Sequence, residues 1–113
     1  MLISYNIDDI QKETWQTSEA HGWHGLDRSF GDIIALCHSE LSEALEEHRN
    51  GHGAREIYYG ENDKPEGIPI EMADVVIRVM DWFEANDLLL SDVLDVKMKY
   101  NEGRPFLHGG KKL

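Results

Sequence analysis

The chain has one cysteine, three prolines and no apolar run of the ~18 residues that a membrane-crossing helix requires. Cys37 alone excludes an internal disulfide and any zinc site built on cysteines. The amino terminus, MLISYNIDD, has neither the basic nor the apolar region of a secretory leader, so a cytoplasmic protein is expected. Bases are scarce as well. Eleven Lys and Arg against 22 Asp and Glu give a formal net charge of −11. Such a body argues against a long nucleic-acid partner, which needs a broad basic face. It leaves room for a small anionic ligand held through cations. All the acids precede residue 104, and the last ten residues, RPFLHGGKKL, form a basic tail.

What is present is enough for one domain spanning residues 1–113: a 41% hydrophobic chain with no internal repeat. Punctuation separates four helical stretches. The first begins after Asn6 and stops near Gly22. The second opens at Ser29 or Asp32 and ends at Asn50-Gly51. The third runs from Pro69 to about Asn86. The fourth is capped by Ser91 and stops at Gly103, ahead of Pro105. Residues 52–68 read as a loop with a short strand in EIYYG. Short connections predict an all-α, antiparallel four-helix bundle.

Two helices carry carboxylates where a plain bundle has no use for them. In IEMADVVIRVMDW, residues 70–82, the apolar side chains cover well over half the helix circumference. Glu71, Asp74, Arg78 and Asp81 share the remaining arc, which is expected to face a cleft. In the second helix, Phe30, Ile34, Cys37, Leu41, Ala44 and Leu45 make the expected core face. Glu40, Glu43 and Glu47 line its shoulder beside Leu36. Carboxylates three residues apart repel each other, so two such pairs on facing helices call for a cation between them. Oxygen-only ligands suit Mg²⁺ or Mn²⁺. The stripes alone leave a second reading open, a solvated face with an Asp74–Arg78 ion pair.

The order of these acids, ExxE at Glu40 and Glu43 and then ExxD at Glu71 and Asp74 with 27 residues between, resembles the MazG-like all-α nucleoside triphosphate pyrophosphohydrolases. The stretches GWHGLDRSFGDIIALCHSELSEALEEHRNG, KPEGIPIEMADVVIRVMDW and KMKYNEGRPFLHGGKK are similar to the two halves of a MazG-related branch. The resemblance covers the chain from about residue 10 onward. It implies Mg²⁺ (or Mn²⁺) on Glu40, Glu43, Glu71 and Asp74, and hydrolysis of a nucleoside triphosphate to monophosphate and pyrophosphate. One departure is visible: Ser39 stands where the family's EExxE has its first Glu. Glu47, one turn past Glu43, is the candidate to position the attacking water.

The family places a Lys and an Asn near the substrate phosphates, and Lys97, Asn101 and Arg104 share one face of the fourth helix and its end. A plain solvated face is the other reading of that spacing. The resemblance also implies an aromatic against the base, and Trp23 in HGWHG is the candidate. Val75, Val79 and Trp82 are expected to be exposed in a lone bundle, which predicts a homo-oligomer, a dimer or tetramer. A non-catalytic nucleotide- or metal-sensing bundle that kept the acids is the alternative function.

Overall fold

The computed structural model describes residues 6–22 and 28–105. These are mostly helical: α1 (Ile7–Ala20), α2 (Phe30–Arg49), α3 (Ile68–Ala85) and α4 (Leu90–Glu102). Between α2 and α3 lies a small hairpin, β1 (Tyr58–Tyr59) and β2 (Pro65–Glu66), paired antiparallel with Tyr58 opposite Glu66. No helix among the described residues is long and apolar enough to cross a membrane.

The helix ends follow their capping residues. Asn6 accepts the Asp8 N–H at 2.9 Å and starts α1. Ser29 and Asp32 form a reciprocal capping box at the start of α2, each accepting the other's N–H. The fourth helix departs from expectation. Its cap position is Leu89, with no side-chain cap of its own, and the Ser91 hydroxyl donates instead to Asp8 on α1. The Leu90 N–H is taken by Gln11 Oε1 at 2.9 Å. Gln11, 1% exposed, also donates from Nε2 to Glu84 Oε1 and to the Leu88 carbonyl, both at 2.9 Å. One buried amide thus ties α1 to the end of α3 and the start of α4.

The hairpin sets where α3 begins. Asn62 and Asp63 make its turn with left-handed backbones, φ 57° at each. Gly67, which follows β2, is buried with φ 127°, and a Cβ there would collide with the Glu56 carbonyl oxygen. Only glycine lets the chain pass so close and turn into a helix. The Gly67 carbonyl then accepts the Glu71 N–H at 3.1 Å, so this turn fixes the first acid of α3.

Helix α3 is central, with α2 and α1 packed on it, while α4 lies on α1. Glu71 is buried and Asp74, Arg78 and Asp81 are part-buried, whereas Met72, Ala73, Val76 and Ile77 are exposed. Arg78 bonds Glu40 of α2, and Asp81 accepts from Ser18 of α1 at 2.7 Å. The polar arc therefore faces the neighbouring helices, in line with an arc expected to face a cleft, and part of the apolar arc (Met72, Ala73, Val76 and Ile77) faces outward. Val75, Val79 and Trp82, expected to be exposed, are part-buried; Trp82 packs on Phe30 and Phe83, with ring centroids 5.8 and 5.0 Å away.

Helix α2 is turned in the same sense. Its less exposed face is Ile33, Leu36, Cys37, Glu40, Ala44 and Glu47, while Phe30, Ile34, Leu41 and Leu45 of the expected core face are exposed. Ala44 and Met80 are the buried hydrophobic residues among those described. A core this small leaves many large apolar side chains exposed among the described residues.

Candidate metal centre

The α2–α3 contact brings one carboxylate oxygen each from Glu40, Glu43 and Glu71 within 4.8 Å of one another. Ligands of one Mg²⁺ stand about 3.0 Å apart when adjacent and about 4.2 Å apart when opposite, at the ~2.1 Å Mg–O distance, so the three oxygens are near enough to close on one ion. A cluster of acids is common without a metal, and the second observation matters more. Glu71 is 9% exposed, and its Oε2 is buried with no hydrogen-bond partner. A buried charged oxygen without a partner is costly unless a cation or proton serves it.

The proton is what the metal-free protein uses. Burial, with Glu40 and Glu43 beside it, pushes the Glu71 carboxyl up to about 8. Burial and the Glu40 charge raise Asp74 as well, against the opposing charges of Arg78 and Lys64. Glu40 moves the other way: burial opposes its ionisation, but the Arg78 guanidinium together with hydrogen bonds from Glu71 and Glu43 holds the carboxyl below its ordinary value. The three groups thus share protons unevenly, with Glu71 the protonated member near neutrality.

Stability then depends on pH with a definite sign. From about pH 4.5 to about 8 the folded state keeps a Glu71 proton that the unfolded chain has released. The stabilising contribution is fully present below that window and is lost as pH rises through it, by up to about 1.4 kcal/mol per unit. His52, raised chiefly by its bond to Glu56, adds loss of the same sign as pH rises. Mg²⁺ needs the ionised carboxylate, so it opposes only the Glu71 part. The melting temperature of EDTA-treated protein is therefore expected to fall between pH 5 and 8, with the Mg²⁺-induced rise largest at pH 8. A Mg²⁺ shift independent of pH would contradict this account of Glu71.

The remaining site residues are distributed as follows. Asp74 stands one turn beyond Glu71, part-buried, outside the group of three oxygens. The Glu47 carboxylate accepts the Tyr58 hydroxyl, at 2.7 Å to Oε1 and 2.8 Å to Oε2. Its Oε2 lies 3.4 Å from His52 Nε2, and His52 stacks on Tyr58 and bonds Glu56 at 2.8 Å. The bond to Glu47 pushes Tyr58 up to about 12, so its proton stays in place. Glu47 therefore anchors the hairpin to α2 one turn past Glu43. Lys97, Asn101 and Arg104 are exposed on α4 and just beyond it, with no hydrogen bond or ion pair to the cluster among the described residues. Lys97 and Arg104 flank the Tyr100 ring instead, at 4.9 and 5.9 Å. Trp23 and most of the basic tail lie outside the described residues.

Two cations near the acids escape a reading by motif. Arg78 crosses to Glu40 instead of pairing with Asp74 in its own helix. Lys64, from the hairpin turn, is close enough to act on the Asp74 charge. A cleft of about 450 Å³ opens along α2 beside Arg28, Asp32, Ala35 and Leu36, the last of these one turn before Glu40. Fold and site together define a mostly helical protein with an acidic cluster between two helices. No family model, curated protein or solved structure matches the chain.

Proposed function

We propose that the chain is a Mg²⁺-dependent hydrolase that converts (deoxy)nucleoside triphosphates to monophosphate and pyrophosphate, clearing unwanted nucleotides. The observation that carries this reading is the buried, unpartnered Glu71 oxygen inside a group of three carboxylates from two helices. Glu40, Glu43 and Glu71 hold the ion, with Asp74 completing the set from the next turn of α3. Mg²⁺ supplies charge neutralisation at the phosphates and a bound water of lowered pKa, and Mn²⁺ serves in its place. The carboxylates keep the ion fixed, and their negative charge admits a polyanion only together with it. Glu47, whose oxygens keep free lone pairs beside the Tyr58 hydroxyl, positions the attacking water. The triphosphate is gripped further by Lys97, Asn101 and Arg104, and the base by Trp23. The helices form an antiparallel bundle completed by a second copy, as a dimer or a dimer of dimers, through the exposed apolar faces of α2 and α3.

A panel of canonical and modified nucleoside triphosphates, incubated with the protein and Mg²⁺, tests the activity. Equimolar monophosphate and pyrophosphate are expected, and none after chelation. Orthophosphate with diphosphate, or no product from any nucleotide, would overturn it. In the latter case a Mg²⁺-dependent rise in melting temperature points to a metal- or nucleotide-sensing bundle.

A further inference from the structure

Arg78 stands four residues after Asp74, the spacing of an intrahelical ion pair, yet its guanidinium leaves α3 altogether. Its Nε and Nη2 both donate to Glu40 Oε1, at 3.3 and 2.8 Å. The other oxygen of Glu40 is left outside the pair. The side chains are 28% exposed for Arg78 and 12% for Glu40, so the pair sits at the rim of the cluster and can open without unfolding the helices. Glu40 is at once a member of the three-oxygen group and the carboxylate that Arg78 occupies.

A divalent ion and a guanidinium compete for such a carboxylate. The ion carries twice the charge and approaches to ~2.1 Å, so at sufficient concentration it prevails. A guanidinium cannot discard its proton, and once displaced it needs another anion. Its planar fork matches a phosphate in geometry, as a lysine does not. We propose that Arg78 is the resident counter-cation of the site, holding Glu40 while no divalent ion is bound and passing to a substrate phosphate when the ion takes that carboxylate. This rests on the metal-centre reading above. It makes Arg78 a substrate-binding residue and places an entry condition on the ion, since a guanidinium charge held against Glu40 opposes the approach of a second cation to that carboxylate.

The two halves of this exchange predict effects of opposite sign, which a purely structural ion pair does not. Mn²⁺ alone, titrated by electron paramagnetic resonance into the nucleotide-free protein, is expected to bind Arg78→Gln about fivefold more tightly than wild type. The KM for the Mg²⁺-nucleotide is expected to rise about tenfold in the same variant. Arg78→Lys keeps a point charge without the fork, so its Mn²⁺ affinity should stay near wild type while its KM rises. Unchanged or weaker Mn²⁺ binding by Arg78→Gln would overturn the competition. An unchanged KM in Arg78→Lys would overturn the transfer to phosphate, and it decides the matter even if Arg78→Gln fails to fold. Absence of Mn²⁺ binding by wild type would instead remove the metal centre itself, a different failure from either of these.

Discussion

Glu71→Gln is expected to leave a folded protein that has lost Mg²⁺ binding and releases no pyrophosphate. The substitution keeps the shape of the side chain and removes the charge from the least solvated oxygens of the cluster. In the metal-free protein this is a relief. With its carboxyl raised to about 8, Glu71 is mostly protonated at neutral pH, and a neutral amide resembles that form. The variant's melting temperature without metal should match or exceed that of wild type at pH 8, and its fall between pH 5 and 8 should shrink. Activity moves the other way, because an amide does not replace an anionic ligand. Loss of an outer partner of a metal ligand already costs about 10–100-fold, and loss of the ligand itself should cost more. Circular dichroism, a melting curve with and without Mg²⁺, and a pyrophosphate assay suffice as measurements. Mg²⁺-dependent turnover retained in Glu71→Gln would sink the assignment of this cluster as a metal centre.

How much of this was legible from residues alone depends on what each residue type encodes. Helix ends were legible because they are local: Asn6, the Ser29–Asp32 box and Asn50-Gly51 act on their own backbone. The cap of α4 was not, because its acceptor, Gln11, lies 79 residues away and no local pattern announces it. The pairs Glu40–Glu43 and Glu71–Asp74 were legible from i, i+3 spacing within each helix, but which of the four would meet across the helices was not: the group takes Glu71 and leaves Asp74 outside. The inward turn of the polar arc of α3 was legible, but the face of α2 that packs inside the protomer was not. On α2 the less exposed face is turned about 80° from the expected one, at ~100° per residue. A wheel assigns the most apolar face to the core, and that rule fails where the packed contact is polar and the apolar face is left outside. The crossing of Arg78 to Glu40 was hidden for the same reason, since spacing offers Asp74 as the nearer partner. Lys64 was hidden because a hairpin turn brings it close, and turns carry no periodicity.

The outward apolar faces carry the other large effect expected. Phe30, Ile34, Leu41 and Leu45 on α2, with Met72, Val76 and Ile77 on α3, form two exposed stripes on helices that pack together. Isolated exposed hydrophobic residues are ordinary, but stripes of this kind on adjacent helices mark an interface. A second copy of the chain is the partner proposed, since the same stripes on both copies are complementary by symmetry. Val76 is the position to test. It is 49% exposed, so within one protomer Val76→Glu places a charge in water, at a cost within about 0.5 kcal/mol. Val79, being part-buried, would confuse assembly with the protomer's own packing. In an assembled protein the same glutamate is buried without a partner, which costs several kcal/mol and opposes association. Wild type is therefore expected to scatter light as a multiple of 13.0 kDa, and Val76→Glu to fall toward a single 13.0 kDa chain. Activity should fall with it, because α3 presents Val76 on one face and holds Glu71 and Asp74 on the opposite one, so freeing the first loosens the second. An active wild-type sample at the monomer mass would overturn the assembly, and an active monomeric Val76→Glu would show that the metal centre functions without it.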